Sequence, residues 1–144
     1  MKTMKFLLVA VLLAASTTLM ANSSASSYVK SLALRQTEQL VKPLALSQKQ
    51  TNMILAINQD YARRNVLLMG QRKVLQSLGY MNATVQQTFI QALSNRFEAR
   101  KLEIQAVLND EQLVSYETML PELKKDQYES IQFMRERTRV RYDS

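Results

Sequence analysis

The stretch that decides the fold is Gln48 to Leu78, QKQTNMILAINQDYARRNVLLMGQRKVLQSL. Ile54, Ile57, Tyr61, Leu68, Leu75 and Leu78 recur at the a and d spacing of a helix, interrupted at Arg64 and Gln71. Gly79 stands where a helix-terminating glycine belongs. Gly70, inside the stretch, weakens the helix by about 1 kcal/mol relative to Ala or marks a bend. At 1.5 Å per residue this helix is roughly 46 Å long.

The same periodicity extends outward. Upstream, a helix over about Tyr28 to Val41 ends at Pro43, with Val29, Leu32, Leu40 and Val41 apolar. Downstream, Asn82 to Leu108 carries an apolar stripe of Phe89, Leu93, Phe97, Ile104 and Leu108. A further helix starts near Asp110, with Leu113, Tyr116 and Leu120 apolar. Pro121 lacks an amide proton, so a kink or a restart is expected there, followed by a last segment from Glu122 to about Arg139 with Leu123, Ile131 and Met134 on one side. The fold class is all-α, with four to five helices, two of them long. Such lengths make an elongated layer rather than a ball, because a compact chain of ~120 residues has a radius of gyration near 14 Å. A thin layer buries little of each helix, which predicts a homodimer.

Composition agrees. Only two Gly and two Pro occur in 144 residues, too few for the frequent turns of a β-sandwich or barrel. Neither glycine lies in a phosphate-cradling cluster. Cys and His are absent, so disulfides, thiolate or imidazole metal sites and the common nucleophile–histidine pairs cannot be built. No carboxylate sits in an apolar setting that would mark an acid–base pair. The expectation is a protein that is not an enzyme and takes no cofactor or metal.

Residues 1–21 read as a signal peptide. Lys2 and Lys5 precede ten apolar residues, Phe6 to Ala15, too few to span a bilayer, and a small-residue stretch follows. Cleavage falls after Ala21 or as late as Ala25, leaving residues 22–144 as one helical domain in the periplasm. From Asn22 to Lys101 there are 11 basic and 3 acidic residues, and from Leu102 to Met134 there are 2 and 7. This polarity suits antiparallel pairing of unlike segments. The tail, residues 135–144, is basic again. After export the available anions are lipid headgroups, surface polysaccharide and acidic protein faces, so nucleic acid is not an expected partner.

Two five-residue segments look alike, Leu46-Ser47-Gln48-Lys49-Gln50 and Leu108-Asn109-Asp110-Glu111-Gln112, 62 positions apart. Each sets an N-cap residue (Ser47, Asn109) three before a Gln (Gln50, Gln112), the spacing of a capping box worth about 1 kcal/mol. Leu108 and Leu113 fit a hydrophobic staple, and Asp110 and Glu111 face the positive end of the helix dipole. Read by themselves they are two good helix starts. Paired at this spacing in a small exported helical chain, they resemble the two boxes of the Spy/CpxP, or LTxxQ, family of bacterial periplasmic proteins, over about residues 44–120. Ser47 and Asn109 stand where that family usually has threonine.

The resemblance implies long antiparallel helices dimerising into a curved cradle. It implies an ATP-independent chaperone for unfolded or partly folded envelope proteins in the envelope stress response. One alternative is a regulatory adaptor on the extracytoplasmic domain of an envelope-stress sensor kinase. A second is a structural or membrane-surface helical protein, in weak contact with lipid. Candidate client-binding residues are Lys49, Arg63, Arg64, Arg72, Lys73, Arg96, Arg100 and Lys101, through long-range attraction of acidic chains. They do not form a single stripe, and ordinary solubilising charge is the competing reading. Met53, Met69, Met81, Met119 and Met134 read as core packing rather than an adaptable binding surface.

Overall fold

The computed structural model describes the backbone of residues 23–139 and the side chains of residues 26–125. The expected signal segment 1–21, with the cleavage position after Ala21, and the end of the basic tail lie outside the described residues, as do the side chains of Ala25, Ile131 and Met134.

Four helices account for the described chain: α1 (Ser23–Val41), α2 (Gln48–Ser77), α3 (Ala83–Gln105) and α4 (Asp110–Arg139). Each packs on the next in chain order. Asn58 pairs with Arg100 and Arg64 with Arg96, so α2 and α3 run antiparallel, and Thr37 of α1 pairs with Asn58 of α2. No described helix is long and apolar enough to cross a membrane.

The helix ends follow their local chemistry. Ser47 is the N-cap of α2 and Asn82 that of α3, whose side chain accepts from the Val85 amide at 2.9 Å. At the end of α2, Gly79 takes φ +75°. The Gly79 amide donates to Gln76 O and the Tyr80 amide to Leu75 O, closing a Schellman turn. The end of α1 has the same bond pattern, Ala45 to Lys42 O and Leu46 to Val41 O, yet its left-handed residue is Ala45, φ 46°. Gly70 interrupts nothing: α2 runs through it, and a Cβ there would meet no atom within 4 Å.

The expected restart at Pro121 does not occur, and one helix passes through it. Pro121 and Glu117 are both exposed, so the Glu117 carbonyl that proline cannot serve is open to water. Among the described residues there are therefore four helices, within the four to five expected.

The core is divided. Leu40, Leu44, Ile54, Ile104 and Tyr116 form one cluster, flanked by Leu46, Ile57, Val107, Leu108, Met119, Leu120 and Leu123, where all four helices meet. Leu68, Leu75, Phe89 and Leu93 form a second between α2 and α3 alone, with Met81, Val85 and Ile90 against it. Met119 and Met81 thus pack against the core as expected, whereas Met53 is exposed. Leu78, expected on the apolar stripe, is the exposed C-cap of α2.

Candidate functional site

The two capping boxes form in full. The Ser47 hydroxyl accepts from the Gln50 amide at 3.2 Å, and Gln50 Oε1 accepts from the Ser47 amide at 3.0 Å. At the second box Asn109 Oδ1 accepts from the Gln112 amide at 2.9 Å, and Gln112 Oε1 accepts from the Asn109 amide at 3.1 Å.

The short turns after α1 and α3 bring both boxes to the same end of the layer, where they pair. Gln50 Nε2 donates to Gln112 Oε1 at 2.7 Å, and Gln112 Nε2 donates to Gln50 Oε1 at 3.1 Å. The second proton of each amide goes to the opposite turn, Gln50 to Val107 O at 3.1 Å and Gln112 to Leu44 O at 3.0 Å. Each side-chain amide thus makes the four bonds open to it, two given and two accepted. Leu46 and Leu108, the first residues of the boxes, pack under this clasp against the first core cluster. The boxes are one structure, not two independent helix starts.

Beneath the clasp lies a chain of buried polar groups. Thr37 gives its hydroxyl proton to Ala33 O at 2.8 Å and accepts from Asn58 Nδ2 at 2.9 Å. Asn58 Oδ1 accepts from Arg100 Nε at 2.7 Å. The Arg100 guanidinium carbon lies 4.8 Å from the centre of the Tyr61 ring, a cation–π contact. Among the described residues no carboxylate pairs with Arg100, although it is only 8% exposed. Burial pulls its pKa down, opposed by Tyr61 and Tyr116, and burial pushes the Tyr116 hydroxyl up. The network crosses from α1 through α2 to α3, with Tyr116 of α4 closing the far side.

Arg100 was expected on a client-facing surface, and its burial removes it from any such surface. The signal was present: Arg100 falls between Phe97 and Ile104 on the apolar stripe of α3, three and four residues from each. Asn58 sits likewise between Ile54 and Tyr61, and Thr37 between Ala33 and Leu40. Three polar residues in stripe positions on three helices meet one another.

The remaining basic candidates are dispersed. Arg63 and Arg64 are exposed and both pair with Asp60. Arg96 donates to the Arg64 carbonyl, and its pKa is lowered by partial burial and then by the Arg64 charge. Lys101 and Lys124 share Glu98, and those two hydrogen bonds hold its carboxyl below the usual range. Lys49 and Lys73 are exposed, and Arg72 is half-buried. Lys49 lies one turn from exposed Met53, so cationic and apolar groups share that face of α2. Among the described residues no group of three carboxylates converges as a metal site would require.

The family model described as a domain of unknown function, DUF4890, matches residues 20–116. The chain belongs to this family. The matched span takes in both boxes, the buried network and its last member, Tyr116, and stops before Pro121. Neither curated proteins nor solved structures gave a match.

Proposed function

We propose that this DUF4890 chain is an exported, ATP-independent binding protein for non-native envelope proteins, a homodimer of the Spy/CpxP kind. The observation that carries the reading is the reciprocal Gln50–Gln112 pair. The resemblance rests on two boxes at this spacing, and in this fold each box completes the other. Around the clasp the exposed groups are the apolar Met53, Leu102 and Val114, the cation Lys49, and the carboxylates Glu103, Asp110 and Glu111. The exposed cations along α2, Lys49, Arg63 and Arg64, attract unfolded acidic chains at long range, and the apolar groups hold them by weak contact.

Light scattering of two unrelated aggregating proteins, without ATP, tests this with residues 22–144. The expected result is suppression of both, weakened by salt and by Lys49→Glu with Met53→Ser. If neither is suppressed by a folded helical protein, the reading falls. Tight binding to one folded sensor domain would then put a regulatory adaptor in its place.

A further inference from the structure

The end of the molecule opposite the clasp has a different character. Gln50 and Leu78 are separated by roughly 42 Å along α2. There the last turn of α2 and the α2–α3 turn expose three apolar side chains, Val74, Leu78 (56% exposed) and Tyr80 (58%). The turn is rigidly built: the Schellman bonds of Gly79 and Tyr80 lock one side and the Asn82 cap the other. From residue 61 to 97 the chain carries Arg63, Arg64, Arg72, Lys73 and Arg96 and no Asp or Glu.

We propose that this turn is a docking tip for an anionic lipid bilayer, with Val74, Leu78 and Tyr80 entering the interface and Lys73 meeting the headgroups. Dimensions support the placement. Lys73 precedes Leu78 by five residues, about 7.5 Å along the axis, within the depth of ~5–10 Å to which interfacial helices bury their apolar groups. Tyrosine, with an apolar ring and a polar end, suits the headgroup level. Contact is peripheral, since no described helix is able to cross the membrane.

The shape argues against a protein partner. A hairpin end is two helices wide, each about 10–12 Å across, whereas a stable protein interface takes about 800 Å² from each side. A fluid bilayer closes around a convex tip, and a rigid protein does not. A second copy meeting tip to tip would oppose Lys73 to its own equivalent, like charge to like.

The chain contains no Trp, so Tyr80→Trp makes the tip its sole indole. The full chain is mixed with vesicles of phosphatidylcholine alone, or with phosphatidylglycerol added. The apolar run of residues 6–15 is itself able to hold the chain on lipid, so the readout is local: indole blue shift and quenching by brominated acyl chains. The tip is expected to respond on anionic vesicles, and Val114→Trp, on exposed α4 at the clasp end, is not. Val74→Ser with Leu78→Ser should weaken the tip's partitioning by roughly tenfold or more. Lys73→Glu, or salt near 1 M where the Debye length is about 3 Å, should abolish it. Leu78→Trp replaces Tyr80→Trp if the latter loses its helical signal. The proposal is overturned if the tip indole stays silent on anionic vesicles, responds equally to neutral ones, or moves only with protein concentration or an unfolded client. A silent tip leaves the aggregation result untouched, so the two readings fail separately.

Discussion

Arg100 Nε donates to Asn58 Oδ1 at 2.7 Å inside a layer of helices that supplies the guanidinium with no described carboxylate. Its compensation comes from dipoles and ring faces instead, and that makes Asn58 costly to lose. Asn58→Ala is expected to destabilise by about 2–4 kcal/mol, because it strands a buried charge. Asn58→Leu combined with Arg100→Met removes both partners and should cost much less than the single change. Urea unfolding followed by helical circular dichroism measures both. A double variant as unstable as Asn58→Ala would contradict this account.

The Gln50–Gln112 pair predicts strong coupling. Gln50→Leu or Gln112→Leu alone leaves a cap amide and an opposite carbonyl without partners, at about 1–3 kcal/mol each. Their joint effect should fall short of the sum by about 0.5–3 kcal/mol, the range seen for residues in one network. A double-mutant cycle on unfolding free energies gives the value directly. Additive losses would mean that the two boxes act independently.

Ala45 holds a left-handed conformation that closes α1, and a Cβ there is unfavourable. Ala45→Gly should raise stability by about 1 kcal/mol, since the relief of strain exceeds the entropy glycine gains when unfolded. Gly79→Ala, the reverse change in the matching turn, should lower stability by a similar amount. Thermal melting of the two variants against the parent distinguishes them by sign.

Burial raises the Tyr116 pKa above its ordinary value of about 10, with Glu98 acting in the same direction and Arg100 against it. The folded state therefore holds that proton more tightly than the unfolded chain does. The stability it contributes is complete below pH ~10 and is lost as pH rises through the folded-state pKa. Tyr116→Phe should flatten the alkaline limb of a stability-against-pH curve. A limb of unchanged steepness would place the alkaline loss elsewhere.

Much of the fold was legible in residue order because it rests on local chemistry. The spacing of Ile54, Tyr61, Leu68 and Leu75 marks a helix whatever it packs against. Ser47 and Asn82 begin helices because their side chains cap amides three residues on, and Gly79 ends one because it lacks a Cβ. Pro121 signals a kink or a restart, and residue order does not say that the helix continues, because proline's penalty depends on whether the freed carbonyl reaches water.

Tertiary structure decided what the polar residues do. Gln50 and Gln112 each satisfy a local box, and nothing within five residues says that their amides will meet across 62 positions. Arg100 counts as one more positive charge until Phe97 and Ile104 carry it into the core between Asn58 and Tyr61. Sequence by itself determined where helices start, stop and turn an apolar stripe, since those are contests between neighbours along the chain. Only packing decided which cations stay in water and which polar groups find each other. Desolvation and hydrogen-bond geometry belong to the assembled layer, not to any one helix.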